Sequence, residues 1–236
     1  MTKVWAVYWR EVQAYFLSPV AYVFMAVFLL LTGWFFAARL FATQYIEMQV
    51  VFANMTFMFV FIAPLLTMRL LAEERRMGTD EFLLTAPLTV GQIVVGKFLA
   101  AVTVYLAFLA VTGVYPWLLY RYGFPDWVTI GTGYLGVILV GAAYLAVGVL
   151  ASSLTNSQMV AGLLGFGVLL LSLVVDRAAV VSTGLLAKVL QAISISARAN
   201  GLYMGVLNVA DLFYLISFTG GLLFLTVRVM ERRRWL

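Results

Sequence analysis

The chain of 236 residues contains neither cysteine nor histidine. The first absence excludes disulfides, thiol nucleophiles and thiolate metal sites. The second removes the commonest metal ligand and the usual general base at neutral pH. Charge is scarce as well, at 11% of residues, where an ordinary globular domain carries about 25%. No HExxH, GxSxG, CxxC or GxxxxGK[ST] motif occurs. The run Gly91 to Lys97 has the GxxxxGK spacing, but Phe98 stands where a phosphate loop needs Ser or Thr. No strand pattern precedes that run, and it reads as helix packing plus an interface anchor. The chain is therefore expected not to be an enzyme, and to hold no metal or cofactor of its own.

What is present is apolar surface: 64% of residues are hydrophobic and the mean hydropathy is +1.04. A soluble core of this size could not hide so much, so most of the chain has lipid as its solvent. The expected fold class is an all-α polytopic membrane protein forming a single domain over 1–236. The net charge of +5 does not point to nucleic acid. The basic residues cluster at the ends of apolar segments, and no basic stripe with interleaved aromatics occurs.

In chain order, Lys3 to Phe16 is too polar for a secretory signal, and the apolar run after it lacks a cleavage site. Trp5, Trp9, Val12 and Phe16 recur at helical spacing, which predicts an interfacial helix over 3–17 with its aromatic face toward lipid. Trp5, Trp9, Arg10 and Phe16 are its candidate membrane anchors. A first span extended by this segment is the alternative. Pro19 ends the helix at Ser18. Six spans are then expected at about 20–40, 50–71, 93–119, 127–154, 159–175 and 212–230, with Pro64 inside the second. The run Thr89 to Gln92 has a capping-box pattern at the start of the third. Ser152 to Asn156 reads as an uncharged link, and 176–211 has the length for one or two short helices. Ala142 with Ala146, and Ala161 with Gly165, permit close helix approach within the subunit or across a dimer.

With six spans, both termini and the even-numbered links share one side. That side collects Lys3, Arg10, Arg69, Arg75, Arg76, Lys97, Arg228 and Arg232 to Arg234, ten of the fifteen basic residues. The positive-inside rule puts it in the cytoplasm. Trp34, Tyr45, Trp117, Tyr120, Tyr122 and Trp127 form an interfacial belt on the other side. Arg39, Arg69 and Lys97 lie near span ends, where long side chains can snorkel to water. The absence of ionisable residues at mid-span argues against a proton relay.

The most polar stretch, Ala72 to Pro87, carries four of the ten acidic residues between two apolar spans. Thr79 can cap a short helix with Asp80 and Glu81 in its first turn. Phe82, Leu83 and Leu84 supply an apolar face, and Pro87 stops the helix. The bland reading is a solvated loop; against it, three large apolar residues at a water-exposed helix end call for a partner groove.

The pattern made by Ala72, Glu73, Glu74, Arg75, Gly78, Thr79, Glu81, Leu83, Leu84 and Pro87 resembles the signature between the second and third helices of ABC-2 type transporter permeases. The start from Trp9 to Pro19 resembles the gliding-motility-associated group of these permeases. The run Gly141 to Thr155 and the basic end after the last helix are also similar to the family, so the resemblance covers almost the whole chain. It implies a permease working in pairs, with a second copy or a different membrane subunit, in the bacterial inner membrane. It implies a cytoplasmic ABC ATPase that binds ATP and magnesium and grips a coupling helix in the 73–88 loop. It also implies short re-entrant helices before the last span, and export or force transmission to an extracytoplasmic protein. On this reading Phe82, Leu83 and Leu84 dock in the ATPase. Glu73, Glu74, Arg75 and Arg76 pair with it, Gly78 permits the bend, and Thr79, Glu81 and Pro87 frame the helix. The alternative is a membrane scaffold that recruits partners without moving anything.

Overall fold

In the computed structural model the described residues are 3–43, 47–78, 88–122 and 126–234. They form eleven helices and no strand: α1 Lys3–Leu17, α2 Pro19–Thr43, α3 Met48–Thr67, α4 Arg69–Arg76, α5 Val90–Thr112 and α6 Val114–Tyr122, then α7 Trp127–Leu154, α8 Gln158–Val181, α9 Gly184–Ile193, α10 Ile195–Tyr203 and α11 Val209–Arg234. Among the described residues, six stretches are long and apolar enough to cross a membrane: Pro19–Phe41, Met48–Arg76, Val90–Arg121, Trp127–Leu154, Gln158–Ala179 and Val209–Arg232. These are the six expected spans. Span two is α3 plus α4, and span three is α5 plus α6.

The helix boundaries follow local chemistry. The capping box holds: Gln92 N–H donates to Thr89 Oγ1, and Thr89 N–H to Gln92 Oε1. Asp126 caps α7 by accepting from Val128 and Thr129. Pro64 leaves the helix of span two intact, and the interruption comes four residues later at Met68, whose N–H bonds the Pro64 carbonyl. Span two is therefore helical through Arg76. Glu73 to Arg76 ride on a helix, where the sequence suggested the start of a loop. Span three is interrupted at Gly113, where α5 passes into α6.

Span four, α7, is the centre of the bundle. Its apolar window is 72% buried, against 22%, 17% and 11% for spans one, five and six. Glycines on α7 receive side chains from the surrounding helices. A Cβ at Gly133 would lie 2.0 Å from the Phe52 ring, at Gly141 2.1 Å from Tyr105, and at Gly148 1.9 Å from Thr67 Oγ1. Phe52, Phe59 and Tyr105 are fully buried there, and the Phe59 and Tyr105 rings stack at 3.9 Å. Ala161 and Gly165 pack inside the chain, Gly165 against Pro64 and Ala151. Ser152 and Ser153, taken from the sequence as link, are completely buried within α7.

At the far end, 176–211 continues span five to Val181 and then makes the two short helices α9 and α10. The α10 helix dips into the bundle. Tyr203 is buried and its hydroxyl lies 2.6 Å from Thr56 Oγ1 on α3. The chain turns back at Gly205, whose φ of 87° is a conformation other residues rarely adopt.

Gly148→Ala is expected to lower stability by about 1–3 kcal/mol, since the new methyl group overlaps Thr67. Gly131→Ala, with no heavy atom within 4 Å of the new Cβ, should not. Unfolding midpoints in detergent compare the two.

Candidate functional site

The helix ends next to both termini and those flanking the links after spans two and four share one end of the bundle, called here the basic end. Three elements meet there: α1, α4 and the first turns of α5. The α1 helix lies directly on α5. A Cβ at Gly96 would sit 3.0 Å from the Val7 side chain and 3.2 Å from the Val4 carbonyl oxygen. Val7, Val12 and Tyr15 face inward, whereas Trp5, Trp9 and Phe16 stay on the outer surface. Of the stripe read from the sequence, Trp5, Trp9 and Phe16 are exposed, while Val12 belongs to the buried face. Tyr8 donates to Thr103 Oγ1 at 3.1 Å, because the Thr103 hydroxyl hydrogen goes to the Leu99 carbonyl.

The residue after Gly96 is the key one. Lys97 does not snorkel; its side chain is 1% exposed. Its ammonium meets Glu11 Oε1 at 2.9 Å and Glu74 Oε1 at 2.8 Å. The same two oxygens meet Arg10 Nη2 at 2.8 and 2.6 Å. Two cations and two anions thus alternate around a square, drawn from three elements and neutral as a whole. Burial alone would push the Glu11 carboxyl up, but the Lys97 ammonium and the Arg10 guanidinium outweigh it and hold its pKa below the ordinary value.

The α4 helix is fastened on its other side by α7. Its first amides lie just past the interruption at Met68 and lack intrahelical partners in the usual way. Ser152 supplies one: Leu71 N–H and Ala72 N–H donate to its Oγ at 3.1 and 3.0 Å, while that hydroxyl donates to the Met68 carbonyl. The Arg75 guanidinium donates to the Ser153 carbonyl. Arg69 lies over the Tyr15 ring at 4.9 Å, and the Tyr15 hydroxyl donates to the Leu66 carbonyl at 2.6 Å. Gly78 ends α4 with φ 68°, its N–H on the Arg75 carbonyl, a left-handed stop that favours glycine.

Of the residues singled out in the sequence, the structure brings Arg10 and Glu74 together and seats Arg75 on α7. Glu73 is half-buried; Arg76 is exposed beside the 154–157 link. Thr79, Glu81, Phe82, Leu83, Leu84 and Pro87, with the short helix expected over 79–86, lie outside the described residues. Glu11, Lys97 and Ser152 were not among the site residues read from the sequence. Only the Gly96–Lys97 pair beside a second charged helix signals them.

Removing the Lys97 charge leaves two largely buried carboxylates with only the half-exposed Arg10 between them. Lys97→Met should therefore lose about 3–5 kcal/mol, and adding Glu11→Gln and Glu74→Gln to it should restore most of that. Because the folded state lowers the Glu11 pKa, its contribution is complete above the ordinary carboxylate value of about 4.3. It is lost as pH falls through the lower folded value. Thermal unfolding in detergent should show this acid loss, diminished in Glu11→Gln.

A family model described as ABC-2 family transporter protein matches residues 5–230. Among curated proteins, none matches the chain.

Proposed function

Because the chain belongs to the ABC-2 family of transporter proteins, we propose that it is the membrane subunit through which ATP hydrolysis on a separate cytoplasmic ABC ATPase drives export or force transmission. The observation that carries this reading is the fastening of α4. This helix leads directly into the 79–87 stretch, and it is bound at once to α1 and α5 through the charge square and to α7 through Ser152 and Ser153. A displacement delivered to that stretch would pass to three elements of the bundle together.

In this reading the basic end is cytoplasmic, since ten of fifteen basic residues lie there, and the membrane is the bacterial inner membrane. Thr79, Glu81 and Pro87 frame the coupling helix, and Phe82, Leu83 and Leu84 enter a groove of the ATPase. Glu73 and Arg76, which form no ion pair among the described residues, pair with that subunit. Glu74 and Arg75 already have partners in this chain, so their work is to transmit the movement inward. Trp5, Trp9 and Phe16 seat α1 at the lipid headgroups. Spans one, five and six leave broad apolar faces for lipid and for a second membrane subunit. The run from Trp9 to Pro19, which resembles the start of the gliding-motility-associated permeases, supports a reading in which the recipient of force is an extracytoplasmic protein.

Leu83→Asp puts a charge into the apolar docking face. ATPase stimulation in the co-purified complex should fall to the basal rate while membrane insertion is unchanged. Retention of both co-purification and stimulation would exclude coupling through this helix.

A further inference from the structure

The end of the bundle away from the charge square holds a cavity of about 780 Å³. It is roofed by α9 and α10 and reaches inward to Tyr144, near the middle of α7. Its acidic groups are already satisfied. Asp176 accepts the Ser194 hydroxyl on one oxygen, at 2.5 Å, and the Ser196 hydroxyl on the other. Asp211 is paired with Arg198 at 2.8 Å.

What is left over can donate hydrogen bonds. Arg177 and Lys188 line the cavity and form no ion pair among the described residues. The Arg198 Nε–H is buried without an acceptor, and so is the Tyr144 hydroxyl on a side chain with no exposure at all. Buried polar groups without partners are uncommon enough in folded proteins to require a reason. The two buried groups, the Arg198 Nε–H and the Tyr144 hydroxyl, can both donate hydrogen bonds, and the exposed Arg177 and Lys188 add positive charge to the lining. The missing partner is therefore an anion rich in acceptor oxygens.

The donors come from four helices, α7, α8, α9 and α10, and so approach from several sides. A tetrahedral oxyanion offers oxygens in that arrangement, whereas a planar carboxylate offers two in one plane. The cavity also has an apolar flank. Phe57 lines it and is 40% exposed on the outside of α3. From there the Phe57, Phe61 and Phe166 rings follow one another at 5.5 Å spacing along the outer surface where α3 meets α8. A cavity with polar groups inside and an apolar flank that continues as an aromatic track on the outer surface suits a headgroup with an attached chain. Basic pockets between membrane helices bind anionic headgroups by this chemistry.

We propose that this cavity binds the phosphate group of an anionic amphiphile from the adjacent leaflet, with Arg177, Lys188, Arg198 and Tyr144 as donors and the chain lying along Phe57 and Phe61. The site requires no nucleotide, so it stands or falls apart from coupling to an ATPase.

The test is binding to the delipidated full-length chain in detergent, with short-chain phosphatidylglycerol, short-chain phosphatidylcholine and inorganic phosphate as separate probes. Saturable binding of phosphatidylglycerol is expected, at least about tenfold tighter than phosphatidylcholine. Arg177→Ala with Lys188→Ala should weaken it about tenfold or more, and Tyr144→Phe by several-fold, with unfolding midpoints unchanged. Equally tight binding of inorganic phosphate would support the oxyanion site and identify a soluble phosphate as its occupant. Arg39→Ala with Arg121→Ala, at the same end but outside the cavity, should have no effect. Equal affinity for both lipids, insensitivity to the cavity variants, or an equal loss from Arg39→Ala with Arg121→Ala would each overturn the proposal.

Discussion

A buried lysine needs its charge balanced, and the arrangement of the basic end follows from that requirement. Lys97 is enclosed by α1, α4 and its own helix, where an unpaired ammonium would carry a heavy desolvation penalty. Glu11 and Glu74 remove the penalty jointly, and Arg10 prevents the two carboxylates from repelling each other. Removing any one member leaves the other three with a net charge of one sign. The half-exposed Arg10 contributes least, since water screens it; Lys97 is the member whose burial gives the square its strength. The glycine before it allows α1 to come close enough for Glu11 to arrive.

The two ends of the bundle handle charge in opposite ways. At the basic end the donors and acceptors of the square close on one another and its net charge is zero. At the other end the carboxylates are closed off by serines and by Arg198, while cations and a tyrosine hydroxyl are left over around an open space. The first arrangement fixes helices in place, and the second leaves room for something to enter. The glycine-lined α7 connects them, carrying Ser152 and Ser153 near one end and Tyr144 on the way to the other.

Much of this was legible in the residues. The six spans follow from long apolar runs, because lipid leaves backbone groups no partners except their own helix. The capping box at Thr89 and Gln92 is a local pattern and formed as such. The two short helices before the last span follow from the length and mixed polarity of 176–211. The square was not legible, since Glu11, Glu74 and Lys97 lie far apart in the chain. Hydropathy alone places Lys97 close enough to a span end to reach water, and only the tertiary placement of α1 closes that route. For the same reason Ser152 and Ser153 read as a link: small hydroxyl residues near a helix end look like a turn until a second helix presents unpaired amides to them. The surplus donors around Tyr144 depend on α9 and α10 folding over the end of α8, which no local pattern specifies.

The interruption at Met68 separates chain order from mechanical order. Residues 69–76 follow α3 in the sequence, but the amides at their start are held by α7 and their acidic side chain by α1 and α5. The joint lies on the α3 side of these attachments. The outer two turns of span two are thus fixed to spans three and four by contacts that bypass α3.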